Sequence, residues 1–390
     1  MKASDAWPLG LQVIPGHHRP IQPSKGPLWI IVLLCLVCVF LISGYVYPLQ
    51  GSSACLLFSS RGCKVLADWL PPITRRDYTD AEIASQVVIW EILNSPSRQP
   101  ETPKIAFMFL TLGPLPFQRL WELFFQGHEG KFSVYVHASQ EKTVYESQYF
   151  VDRDIRSDKV EWGQVSMIDA ERRLLANALE DPDNQHFVLL SEKCVPLHNF
   201  DYVYNYLIYT NISFIDSFVD PGPHGNARYS DHMLPEIRLE DFQKGSQWFT
   251  MKRKHALIVM ADNLYYSKFR DYCRPGFEGR NCYSDEHYLP TFFHLIDPAG
   301  MSNWSVTNVD WSEHKWHPKS YTTQDVTFEL LQNLTSIDET VHETSEEKRV
   351  VNIKPCLWNG VKRPCYLFAR KFLPETLDVL MQLFTNYTNT

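Results

Sequence analysis

Apolar and polar residues follow two rhythms along this chain, after one uninterrupted apolar block. Residues 27–47, PLWIIVLLCLVCVFLISGYVY, contain no charge. About 20 apolar residues in a helix cross the hydrocarbon core of a bilayer. The block therefore predicts one membrane-spanning helix, with Trp29 near one end and Tyr45 and Tyr47 near the other as interfacial anchors. A cleaved signal peptide is the rival reading, but the run is too long for a signal core and starts well inside the chain. Residues 48–103 show little periodicity and include Pro71-Pro72 and Ser95-Pro96-Ser97. They read as a stem, with one helix over residues 81–93. Strand and helix patterns then alternate. Residues 104–112 predict a strand, and residues 115–125 a helix with Leu120, Leu123 and Phe124 at helical spacing. Residues 132–137 predict a second strand, and residues 160–162 another. Ser166 to Asp169 fits an N-terminal capping box, and Ile168, Leu175, Ala178 and Leu179 continue a helical stripe. Residues 187–190 and 213–218 predict further short strands. This alternation predicts an α/β domain over residues 104–385, with a mostly parallel sheet covered on both faces and ligands at the carboxyl ends of its strands.

Composition narrows the class. Of 390 residues, 44% are hydrophobic and 21% charged, which is ordinary globular chemistry and excludes disorder of the whole chain. The formal charge is −8, so nothing points to a dedicated nucleic-acid binder. Before the apolar block stand Lys2, Arg19 and Lys25 against Asp5, with Arg61 and Lys64 beyond it. That bias predicts a cytosolic tail (residues 1–26) and a lumenal C-terminal domain. Cysteines and sequons agree with a lumenal domain. Cys35 and Cys38 lie in the apolar block, Cys194 stands apart, and the rest fall as close pairs: Cys55 with Cys63, Cys273 with Cys282, Cys356 with Cys365. Such pairs suit short-loop disulfides in an oxidising lumen. Zinc is disfavoured, since no Cys-x-x-Cys occurs outside the apolar block. Asn211, Asn303, Asn333 and Asn386 head glycosylation sequons, and Asn211 abuts a strand where burial is expected.

The candidate chemistry lies mostly in the second half. No Gly-x-Gly-x-x-Gly or Walker loop is present, nor a Gly-x-Ser-x-Gly elbow or His-Glu-x-x-His, so dinucleotide, P-loop and common hydrolase readings are disfavoured. Residues 222–229, GPHGNARY, form either a surface turn or a substrate loop with Arg228 and Tyr229 as donors. Residues 244–249, KGSQWF, predict a hairpin leading into a core strand, with Trp248 and Phe249 inside. Asp285-Glu286-His287 is the densest cluster. Confined neighbouring carboxylates raise each other's pKa, and a carboxylate beside a reacting hydroxyl acts as a general base. The alternative is a helix start capped by Ser284, with acids in its first turn. Arg370-Lys371 after an apolar strand is either a soluble surface pair or a cationic cradle for phosphates. Asp152-Arg-Asp154 spells a possible divalent-metal pair, but Arg153, Arg156 and Lys159 crowd it and no buried strand precedes it. No metal site is expected there.

Trp162-Gly, Leu190-Ser-Glu192 with Pro196-Leu, Gly222-Pro through Arg228-Tyr229, residues 244–249, Cys282 through Tyr288, Val309-Asp-Trp-Ser312 with His317-Pro318, and Phe368 through Phe372 occur in this order. With them the chain resembles the plant branch of the core-2/I-branching β-1,6-N-acetylglucosaminyltransferase family, from about residue 104 to residue 384. It departs at Ala227, where a glycine is expected, at Phe242-Gln243, in place of Trp-Arg, and at residues 314–316, which lack the usual glycines. These departures bear on acceptor loops more than on fold. The resemblance implies a type II Golgi membrane protein with a GT-A-like, Rossmann-type domain. It implies a UDP-sugar donor, N-acetylglucosamine by the family's activity, a glycan or glycoprotein acceptor, and no metal cofactor. Glu286 matches the family's catalytic base and Lys371 its late diphosphate-binding lysine, with a second cation from Arg370, Arg363 or Arg349. Glu192, near a strand end, is either a donor contact or a solvated turn carboxylate, and Arg228, Tyr229, Trp311 and Asp285 are candidates for the acceptor. Two other readings stay open: a non-catalytic membrane-anchored glycan binder or scaffold, and a transferase of another sugar such as glucuronic acid or galactose.

Overall fold

The computed structural model describes residues 28–46, 89, 92, 93, 100–140 and 144–388. The chain divides into two units, Met1–Asp77 and Tyr78–Thr390. In the first, helix α1 covers Leu28–Val46, 19 residues without a charge. Side chains are described over only part of it, and over the described residues no helix is long and apolar enough to cross a membrane. The predicted tail, most of the stem, Cys55 and Cys63 lie outside the described residues. Of the stem helix expected over 81–93, Ile89, Ile92 and Leu93 are described as helical, and Ile89 is buried.

The second unit follows the alternation read from the sequence. Strand β1 is Lys104–Thr111, α2 Gln118–Phe125, β2 Phe132–Ala138, α3 Ser166–Leu179, β3 Asn184–Ser191, β4 Val195–Pro196, α4 Phe200–Ile208 and β5 Ser213–Asp216. Then come β6 Thr250–Lys252, α5 Arg253–Ala261, α6 Leu264–Tyr272, α7 Tyr288–Ile296, β7 Met301–Asn303 and β8 Thr307–Val309. Helix α8 is Phe328–Ser336, and the last elements are β9 Glu339–Glu343, β10 Val351–Pro355, β11 Leu357–Trp358, β12 Val361–Lys362, β13 Phe368–Arg370 and α9 Leu377–Thr388. The central sheet has six strands in the order β2-β1-β3-β6-β5-β7. Its strands run parallel except for β6, which is antiparallel to both β3 and β5. This mixed α/β architecture fits the GT-A-like expectation.

The period-2 geometry of β1 splits the core into two layers. Ile105, Phe107 and Phe109 point to one side, where Trp121, Phe124 and Phe125 of α2, Phe200 of α4 and residues of α8 and α9 meet them. Ala106, Met108 and Leu110 point to the other, against Ile168, Leu174 and Leu175 of α3 and residues of α5, α6 and α7. Both faces being covered, β1 reads as a near-continuous apolar run. Each large side chain so withdrawn from water contributes about 1.5–3 kcal/mol. A smaller sheet, β4-β13-β8, packs on the first layer, with β13 parallel to β8 and antiparallel to β4. Disulfides join Cys273 to Cys282 and Cys356 to Cys365, and Cys194 is free and buried.

Four expectations need correction. Residues 160–162 form no strand: no neighbour offers them a ladder, and Trp162-Gly163 is a turn. Ser166 is the first residue of α3 rather than its cap; its Oγ accepts from the Glu161 backbone N–H at 2.9 Å, so the capping box is absent. Helix α2 starts after Pro116, and Leu123 faces solvent while Leu120 and Phe124 are buried. Asn211 is exposed, although it lies close to β5.

Candidate active site

The loop after β5 is built around a buried carboxylate. Asp220 accepts from the backbone N–H of Gly222 at 3.0 Å and of Ser345 at 2.8 Å, from Ser345 Oγ, and from Lys244 Nζ at 3.1 Å. A Cβ on Gly225 would stand 1.9 Å from the Asp220 carbonyl oxygen, so only glycine lets the chain turn this tightly. The turn Asn226–Arg228 then aims the Arg228 side chain inward. Its guanidinium donates to Glu286 Oε2 at 2.6 Å and lies 4.7 Å over the Tyr283 ring. A contact this short between a guanidinium and a carboxyl group is a strong, orienting one. Tyr229, by contrast, is buried, and its hydroxyl donates to the Ile237 carbonyl at 2.8 Å. The exposed Ala227 replaces the expected glycine without obstruction.

Opposite stands the single turn Ser284–Glu286, held between the Cys273–Cys282 disulfide and α7. Ser284 caps nothing: its buried Oγ has no hydrogen-bond partner, and neither this turn nor α7 has a side-chain cap bond. The helix-start alternative for the Asp-Glu-His cluster therefore loses its capping serine. His287 Nδ1 meets the Gln243 carbonyl at 2.7 Å, which assigns the proton to Nδ1 and leaves Nε2 to accept from Arg228 at 3.3 Å. Burial and the Arg228 charge hold this imidazole well below the usual histidine range, so it is neutral. Its ring stacks on Phe242 at 4.5 Å, which accounts for the Phe242-Gln243 pair: one supplies the ring, the other the carbonyl.

The two carboxylates of the cluster differ. Glu286 is partly open, its side chain 28% exposed. Asp285 turns inward, and its Oδ1 is buried without a partner. Burial, with Glu286 alongside, pushes its carboxyl up to about 7. Behind it lies Glu171 of α3, which burial raises well above the carboxylate range and whose Oε1 accepts from Gln247 Nε2 at 2.9 Å.

The cation pair sits at strand ends. Arg370 closes β13, and Lys371 follows it. The turn after β3 carries Glu192 and Lys193, and the Lys193 carbonyl accepts from Phe372 N at 3.1 Å. Arg370 lies 4.1 Å over the Trp248 ring. Burial, then Arg370 and Lys193, lowers Lys371 to about 8, while Glu192 opposes the shift. Arg363 lies 5.0 Å over Trp358, and Arg349 pairs with Glu343 at 3.0 Å. Trp311, just past the end of β8, is 50% exposed.

One segment, residues 244–249, touches both groups. Gly245 N donates to the Glu286 carbonyl at 2.9 Å, Gln247 reaches Glu171, Trp248 underlies Arg370, and the Phe249 carbonyl accepts from Leu189 N of β3 at 3.0 Å. The expected core placement of Trp248 and Phe249 is borne out. Among the described residues no group of three or more His, Cys, Asp or Glu is arranged to hold a metal ion. Asp154 accepts from the Tyr145 hydroxyl at 2.8 Å and pairs with Val136 of β2. The sequence reading missed Glu171, Gln247 and Asp220. Glu171 was signalled: a carboxylate at position 171 falls on the apolar stripe of 168, 175 and 178.

Comparison with known proteins identifies the family. The family model described as Core-2/I-Branching enzyme matches residues 105–335. The chain is 36% identical over 306 residues to "Glycosyltransferase BC10" of Oryza sativa subsp. japonica, an alignment covering 70% of this chain and 74% of that protein. A match over more than half the chain, with a relative of this identity, places the protein in the core-2/I-branching enzyme family, as a glycosyltransferase.

Proposed function

We propose that this chain is an inverting transferase moving N-acetylglucosamine from a UDP-sugar to a hydroxyl of a glycan acceptor. Glu286 removes the acceptor proton as that oxygen attacks the anomeric carbon. The bond to the diphosphate breaks on the opposite face, and UDP leaves with the charge that develops. Lys371 neutralises that charge by contact and Arg370 from beneath, each well-placed donor contributing about 3 kcal/mol to the transition state. Glu192 accepts from a hydroxyl of the donor sugar. Arg228 fixes the Glu286 rotamer and, with Trp311 and the Tyr283 ring, borders the acceptor. Asp285 supports Glu286 from behind.

The observation that carries this reading is the span of residues 244–249, which joins the Arg228–Glu286 pair to the Arg370–Lys371 pair. A base and a leaving-group cradle braced by one shared segment is what in-line displacement needs. Fixed cations supply the charge that a divalent ion supplies elsewhere, so the reading includes no metal. The apolar block over residues 27–47, with Lys2, Arg19 and Lys25 before it, supports a type II anchor with the domain in the Golgi lumen. A panel of sugar nucleotides on the full-length protein, with linkage analysis of the product and EDTA in parallel, tests all of this. Expected is β-linked N-acetylglucosamine transfer that survives EDTA. Transfer abolished by EDTA and restored by Mn²⁺ overturns the metal-free cradle; another sugar in the product overturns the donor.

A further inference from the structure

Among the described residues the strongly exposed tryptophans are Trp162, Trp311 and Trp316, at 58%, 50% and 65%. They belong to two segments, the turn before α3 and the loop after β8. These segments meet: the Trp162 ring stands 6.0 Å from His317. Exposed indoles are costly to keep in water, and grouped ones mark a binding surface.

The surface is continuous with the base. Trp162 packs 5.0 Å from Tyr283, Tyr283 carries the Arg228 guanidinium at 4.7 Å, and Arg228 holds Glu286 at 2.6 Å. The turn that presents Trp162 is itself fitted to this stack. Gly163 has φ +74, and a Cβ there would stand 2.8 Å from the Tyr283 ring. Ser166 Oγ ties the turn through the Glu161 N–H. Trp162 is thus held with one side on Tyr283 and its remaining face open, a short step from the reacting centre.

We propose that this open face is a second acceptor subsite, which stacks the apolar C–H face of a pyranose ring adjoining the sugar that Glu286 deprotonates. A rigid aromatic surface binds such a ring at little entropic cost, and the adjacent His317 offers polar contact at the rim. The acceptor class is therefore an oligosaccharide of at least two rings, rather than a lone monosaccharide or a peptide hydroxyl. This deepens the transferase reading above and rests on it.

The test uses the full-length protein with a ladder of β-linked galactosides and xylosides, from the monosaccharide glycoside to the tetrasaccharide. The wild type gains in kcat/KM from the monosaccharide to the longer acceptors. Trp162→Ala removes about tenfold of that gain, a change of about 1.4 kcal/mol, and the loss falls on KM rather than kcat. Trp162→Phe restores most of it. A length dependence that survives Trp162→Ala overturns the subsite, as does a loss of equal size on the monosaccharide. Calorimetric binding of the tetrasaccharide separates this from failure of the catalytic reading. Binding that depends on Trp162 in a protein that turns over no UDP-N-acetylglucosamine sustains the subsite and sinks the donor assignment. Absence of both binding and length dependence sinks the subsite itself.

Discussion

Replacing Glu286 with glutamine separates the base role from a structural one, because the two have different sizes. The Arg228 hydrogen bond survives, since an amide oxygen can still accept at the 2.6 Å position. What is lost is the charge on a pair whose side chains are 9% and 28% exposed. After discounting for screening at the open end, that loss destabilises the fold by about 1 kcal/mol. The Gly245 N–H bond to the Glu286 carbonyl is backbone and unaffected. A general base contributes about 10²–10⁴-fold, or roughly 3–5.5 kcal/mol of barrier. The expected result is a thermal midpoint lowered by a few degrees, UDP affinity within about twofold of wild type, and kcat down by about 10²–10⁴. UDP release by the full-length protein gives kcat, and calorimetry gives affinity. A Glu286→Gln protein that keeps near wild-type turnover refutes the base assignment. One that loses UDP affinity and turnover together shows a disrupted site instead.

Two further predictions concern charge and topology. Lys371, lowered to about 8, is cationic below that pH and neutral above it; a bound diphosphate favours the cation. UDP affinity therefore stays level up to about pH 7 and falls as pH rises through about 8, and Lys371→Ala binds UDP weakly without this dependence; a wild-type affinity flat to about pH 9 contradicts it. The asparagines of all four sequons, Asn211, Asn303, Asn333 and Asn386, are exposed. A lumenal domain then shows an endoglycosidase-sensitive mass shift that vanishes when they are replaced by glutamine, whereas an unglycosylated protein with a protease-accessible C-terminus in intact vesicles reverses the orientation.

The layers of this fold were readable because they rest on local patterns. The run from Ile105 to Leu110 is apolar at every position because both faces of β1 are covered, and Phe187–Leu190 of β3 repeats that pattern beside it. Helix α3 carries its stripe at the expected spacing. The two disulfides join cysteines nine residues apart, close enough for sequence spacing to pair them. Patterns failed where the outcome depends on a remote partner. The alternation of Val160, Glu161 and Trp162 resembles a strand, yet a strand needs an open edge beside it. Ser166 and Ser284 have capping composition, but Glu161 takes the first, and the second is buried by packing rather than hydrogen-bonded. Tyr229 beside Arg228 suggested a second donor to substrate, and the Ile237 carbonyl claims its hydroxyl.

The site was legible as separate pieces, and residues 244–249 explain why their relation was not. Arg228 and Glu286 are 58 positions apart in sequence. The piece that contacts both Glu286 and Arg370 is Lys-Gly-Ser-Gln-Trp-Phe, which bears no obvious catalytic chemistry. Its specificity is steric. A Cβ on Gly245 would lie 2.0 Å from the Asp216 carbonyl oxygen and 2.9 Å from the Pro290 ring. Only a glycine can enter between the end of β5 and the first turn of α7, and only from there does its N–H reach the Glu286 carbonyl. Three residues on, Trp248 turns its ring under Arg370. The ordered spacing of Gly245 and Trp248 therefore ties two local features, a loop carboxylate and a strand-end cation pair, to one short segment. Neither feature carries that information in its own sequence.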